Sequence, residues 1–188
     1  QPAHRSMRRV AVVRATVAVQ RGQPSVALEV LDAVERREVS NPDYALLRGM
    51  AEELAGYAAA SGSPDRARAL AAAAAAYQRG LDQLARGDFL QVVLMEAPLG
   101  LTRLGVVLLG LGRAAEAAEA FARAEAAGAG LDAVVGRAEA QVRQGGAAAA
   151  LTLLEPHLRD RPEPWLVAAL AAASLGARAD AALFLGRA

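Results

Sequence analysis

Apolar positions in this 188-residue chain recur at three- and four-residue spacing, with almost no strand-like alternation. Clusters of Gly, Pro, Ser, Asn and Asp break that pattern at intervals of roughly fifteen residues. They include Gly22-Gln23-Pro24-Ser25, Ser40-Asn41-Pro42-Asp43, Ser61-Gly62-Ser63-Pro64-Asp65, Gly87-Asp88, Gly112, Gly128 to Gly130, Gly145-Gly146, Arg161-Pro162-Glu163-Pro164 and Gly176. The pattern predicts about ten helices in five pairs, near 6–38, 42–86, 98–127, 131–159 and 163–188. Asn41 or Asp43 can accept the free amides of a helix start, with Pro42 where its missing N–H does no harm, and Ser63-Pro64-Asp65 reads the same way.

The pairs repeat. Leu101, Leu104, Gly105 and Leu108 are followed by Ala117, Phe121 and Ala124, while Trp165, Ala168 and Ala169 are followed by Ala181 and Leu185. In each, a small residue of the second helix lies 16 positions after the first apolar residue, an offset kept by Ala11 to Ala27 and Val134 to Ala150. Equivalent positions step by 33 and then 31 residues, from 101 to 134 to 165. With this spacing and these residues the chain resembles the tetratricopeptide repeat family, whose unit is about 34 residues long. The resemblance is best over 99–127 and implies an all-α, right-handed α-solenoid, a single domain over 1–188. It further implies that Gly105 and Ala169 are small because Ala117 and Ala181 come against them, with Phe121 and Leu185 filling the gap to the next helix.

Two places depart from the pattern. Arg137 and Gln141 stand where apolar residues are expected, which leaves the register there uncertain by a residue. The second unit starts correctly at Tyr44, Leu47 and Ala51, but its expected small residue falls at Ala60, beside a turn. Its helices are therefore expected to be long, about 18 and 22 residues. An irregular insert near 88–97, containing the apolar window 89–95, reads as a third helix of that unit, the alternative being an extended strap along the groove.

Composition narrows the function more than the fold. Acidic and basic residues number 20 and 21, for a net charge of +1 without a basic stripe, which argues against a nucleic-acid partner. Every basic residue is Arg, which with the Ala and Gly load suggests a bacterial origin; cytoplasm and periplasm stay open. Absence of Cys removes disulfides and thiolate metal sites, and apolar runs such as 70–77 and 104–111 fall far short of a membrane span. A chain opening on Gln1 without Met fits a processed or excised fragment.

Candidate chemistry is thin. Gly110-Leu111-Gly112-Arg113-Ala114-Ala115 after an apolar run imitates a dinucleotide fingerprint, but the later Asp132 has no β-branched run before it. His157 sits near a helix end, where an imidazole suits capping, and His4 lies in a polar start. No catalytic residue, metal ligand or cofactor is assigned. Charge clusters such as Glu35 to Glu38 and Arg66 to Arg68 read as solvated faces.

The resemblance implies that the first helix of each pair lines a concave, partner-binding groove. Its residues would be Thr16, Val19 and Gln20; Glu52 and Glu53; Thr102, Val106 and Leu109; Val135, Glu139, Val142 and Arg143; and Leu166, Leu170 and Ser174. That lining is mainly aliphatic with two acidic spots and one Arg, which suits an amphipathic helix or extended apolar peptide better than a C-terminal carboxylate. The last helix stays apolar to its end, so Phe184 and Leu183 are expected as exposed anchors for self-association. The reading is a non-enzymatic protein-binding adaptor or scaffold, with a bacterial multiprotein complex as its setting by family analogy. The alternatives are a ligand- or peptide-sensing regulatory domain of a larger protein and, less favoured, a dinucleotide-binding enzyme.

Overall fold

The computed structural model describes residues 2–35, 41–87, 96–158 and 162–188, with side chains from Val10 onward and excluding residue 162. Its described secondary structure is all helical: α1 (Pro2–Gln20), α2 (Pro24–Glu35), α3 (Pro42–Ala58), α4 (Pro64–Arg86), α5 (Ala97–Gly110), α6 (Ala114–Ala126), α7 (Leu131–Arg143), α8 (Ala147–Leu154), a 3-10 turn (Glu155–His157), α9 (Pro162–Ser174) and α10 (Arg178–Leu185). Apart from residues 96 and 97, the insert near 88–97 lies outside the described residues. Two compact units divide the chain, Gln1–Gly100 and Leu101–Ala188, and each is described by itself.

The helix starts follow from local chemistry. Asn41 caps α3 by accepting the Asp43 amide at 2.9 Å, and Ser63 caps α4 by accepting the Arg66 amide at 3.1 Å, each with Pro in the first turn. The first helices of four pairs end alike. Gly22, Gly112, Gly145 and Gly176 all have φ between 68° and 83°, and the next amide in each case bonds back to the carbonyl five residues earlier. Only a residue without Cβ enters that left-handed turn cheaply. The last three of these glycines are 33 and 31 residues apart, so the structural repeat has the step of the sequence repeat.

In the first unit, Ala15 of α1 packs with Leu31 of α2 and with Tyr44 and Leu47 of α3, and Ala18 packs with Ala27 and Ala51. Small residues on three helices let the axes approach closely. The following pair is long, with 17 residues in α3 and 23 in α4. Its helices interlock in one antiparallel register. Leu46 of α3 lies over Gly80, Tyr77 of α4 lies over Gly49, and Leu70 of α4 lies over Gly56; a Cβ on any of these glycines would stand 2.6–2.7 Å from the opposing side chain. One large residue of α3 and two of α4 are thus each seated on a glycine of the opposite helix. Arg48 ties α3 to α2 through ion pairs with Asp32 and, at 2.9 Å, Glu35.

In the second unit Phe121 is the centre of the packing. Its ring is fully buried between Gly105 of α5 and Gly136 of α7, at 2.7 and 2.4 Å from where their Cβ atoms would stand. Gly105 is thus kept small by Phe121 before Ala117, a correction to the expected contact, while Phe121 fills the gap to the next helix as the resemblance implies. Further on, α7, α8 and α9 share a core of Ala138, Ala150, Leu154, Val167, Ala168 and Ala171. The polar Arg137, placed where an apolar residue was expected, is accounted for by an ion pair: its Nε lies 2.7 Å from Glu125 Oε1 and its Nη2 donates to Oε2 at 2.9 Å.

Candidate partner-binding surface

The predicted lining residues do not all reach solvent. In the first unit, Val19 is half-buried and packs toward Ala18, Ala27 and Ala51. Thr16 donates its hydroxyl to the Val12 carbonyl of its own helix at 2.9 Å, and Gln20 is exposed. Glu53 is buried, with the Tyr77 hydroxyl donating to its Oε2 at 2.6 Å, so it belongs to the hairpin interior and offers no acidic spot. Glu52 is half-buried. Burial raises its carboxyl pKa first, Asp32 adds to the rise, and Arg48 and Arg68 oppose it.

In the second unit Arg143 and Glu139 pair with each other at the surface, their side chains 46% and 33% exposed. Arg143 donates to Glu139 Oε1 from Nε at 3.1 Å and from Nη2 at 2.5 Å, and its Nη1 donates to the Leu109 carbonyl at 3.0 Å. The guanidinium thereby neutralises its neighbour and caps the end of α5, linking two pairs across 34 residues of sequence. Gln144 reinforces that link by donating to the Ala114 carbonyl at 3.2 Å. Leu109 itself is buried, a correction to its place in the lining, and Val135 and Val142 are half-buried against the core of α8 and α9.

Three aliphatic lining residues reach solvent in this unit, beside the exposed Arg143 and Ser174. Val106 of α5 and Leu166 and Leu170 of α9 are exposed by 39%, 49% and 51%. Register places Val106 and Leu170 at one repeat position, with Glu139 of α7 between them in sequence. Thr102 is half-buried, and the Ser174 hydroxyl donates to the Leu170 carbonyl at 2.9 Å. The exposed face of this unit therefore carries apolar side chains whose polar neighbours are taken up by their own helices or by each other.

One further apolar set escaped the sequence reading. Val10, Val13 and Val17 form an exposed stripe on α1, opposite the buried Ala11, Ala15 and Ala18. On α10 Leu183 is exposed, as expected, and Leu185 is exposed with it. Phe184, expected as an anchor, is half-buried, with its ring centroid 5.6 Å from that of Trp165, whose ring also lies under the Arg187 guanidinium. The periodic spacing of these valines and leucines was visible, but periodicity alone does not say whether a helix packs on them.

The dinucleotide-like segment is a helix-to-helix turn. The run before Gly110 is α5, and Gly112 and Arg113 donate back to Leu109 and Leu108, so no strand leads into it. His157 closes the 3-10 turn at the end of the α7–α8 pair. Among the described residues no group of three or more His, Cys, Asp or Glu side chains is placed to hold a metal ion, and no helix is long and apolar enough to cross a membrane. No family model and no curated protein sequence matches the chain.

Proposed function

We propose that the chain is a tetratricopeptide-type binding module, five helix pairs on a right-handed solenoid path, that acts without covalent chemistry. Its second unit would offer an aliphatic face, centred on Val106, Leu166 and Leu170, to an amphipathic helix or extended apolar peptide. The observation that carries this reading is the exposure of large apolar residues at Val106 and Leu170, one repeat position on two different first helices. Water-exposed leucines at more than one third of their surface are unremarkable singly but informative when they recur on one face. Pairing with Glu139 offsets the charge of Arg143, which supports an apolar partner over a carboxylate-bearing one.

The test is fluorescence anisotropy with a panel of amphipathic-helical and extended apolar peptides, on the parent and a Leu166→Glu, Leu170→Glu variant. Both sites are exposed, so thermal melts of the two proteins should agree within a few degrees. Saturable binding that weakens at least about tenfold in the variant, about 1.4 kcal/mol, supports the reading. Equal binding by both proteins, or none by the parent, removes it.

A further inference from the structure

Each complete junction between helix pairs of known register buries one large side chain from the preceding second helix. Leu31 of α2, Phe121 of α6 and Leu154 of α8 stand at equivalent positions, and each is fully buried. Leu31 packs with Tyr44 and Leu47 of α3, Phe121 on Gly136 of α7, and Leu154 with Val167, Ala168 and Ala171 of α9. The same register brings the position next to Leu185 of α10, which is 57% exposed.

The receiving half of that junction is also exposed, on α1. The turn glycines Gly22 and Gly176 align α1 with α9, which sets Val10, Val13, Arg14 and Val17 on the positions of Pro164, Val167, Ala168 and Ala171. Those four residues of α9 are buried, the last three in the core shared with α8. Their counterparts on α1 are all exposed, with Val10 and Val13 above half. Thus one chain carries both halves of an interface it already makes internally. Leu185 and Val13 are the same residue types as Leu154 and Val167, which do pack together in one core.

We propose that a second copy of this chain binds these exposed faces, with Leu185 of one copy seated on the Val13 stripe of the next. The contact repeats the α8–α9 junction in trans. It is heterologous, so it propagates head to tail and forms rings or open filaments according to whether the rotation closes. The inference rests on the repeat register and not on the aliphatic binding face proposed above.

Sedimentation velocity from low micromolar to several hundred micromolar tests it, with Val13→Glu and Leu185→Glu variants whose circular dichroism matches the parent. Val10→Glu serves as a second α1 variant should Val13→Glu fail to fold. The expected result is a parent whose average mass rises with concentration beyond a dimer or to a closed ring, while each variant alone stays monomeric. An equimolar mixture of the two variants should then form a heterodimer and stop there, because only one intact pair of faces remains. A parent monomeric throughout overturns the proposal. Self-association unchanged in either variant, or a mixture that stays monomeric, overturns it too. Leu166→Glu, Leu170→Glu should assemble like the parent, which separates this contact from the peptide-binding face.

Discussion

Tyr77 rests its ring on Gly49 and donates its hydroxyl to Glu53 Oε2 at 2.6 Å, so one side chain of α4 spans a full turn of α3. Both contacts are buried. Gly49→Ala would ordinarily stabilise a helix interior by roughly 1 kcal/mol. Here the added methyl meets a ring that has no room to move, and overpacking of this kind costs about 1–3 kcal/mol. A lower urea midpoint for Gly49→Ala is therefore expected. Tyr77→Phe should also destabilise, by about 1–3 kcal/mol, because a buried carboxylate loses a donor. A stabilised Gly49→Ala would mean that the two helices can slide apart at no cost.

Phe121 makes the corresponding demand on the second unit. Gly136→Ala should destabilise by about 1–3 kcal/mol, since its Cβ would stand 2.4 Å from the ring. The smaller Phe121→Leu should relieve that clash, so the double variant loses less than the two singles added together. Denaturant melts of the four proteins form the cycle, and strict additivity would place the strain elsewhere.

Arg137 and Glu125 form a half-buried pair that joins α7 to α6. Arg137→Leu leaves the carboxylate without its Arg and should cost about 1.5–3 kcal/mol. Replacing both partners by Leu removes the uncompensated charge, and the double variant should recover most of the loss. Equal destabilisation of single and double variants would show that packing, and not charge, sets the cost.

Glu52 predicts a pH dependence. Its folded-state pKa is raised, chiefly by burial, so between the unfolded value near about 4.3 and the raised folded value the folded chain binds more protons than the unfolded one. Stability from this group therefore falls as pH rises through that window and is recovered on acidification. Glu52→Gln should melt above the parent at neutral pH, with the gap closing as the pH falls below the unfolded value. A variant that melts lower at neutral pH would show that attraction to Arg48 and Arg68 outweighs burial.

Helix identity and many of the ends were legible because they depend on neighbours in sequence. The Asn41 and Ser63 caps and the glycine-closed turns at 22, 112, 145 and 176 use groups within a few residues of one another. The candidate surface was less legible. Glu53 looked like a charged groove residue until Tyr77, 24 residues away, took its carboxylate. Arg143 looked available until the Leu109 carbonyl, 34 residues earlier, used its guanidinium.

Hydrophobic period and turn chemistry are local properties, so the helices of the described residues, their turns and a register of 33 and 31 residues can be read from sequence. Which apolar faces are covered and which are exposed depends on how the helices stack. Val13 and Val167 occupy one register position and have the same side chain, yet Val13 is 58% exposed and Val167 only 5%. The difference lies in whether another helix stacks on the face, and burial depends on that neighbour, which no short window of sequence contains.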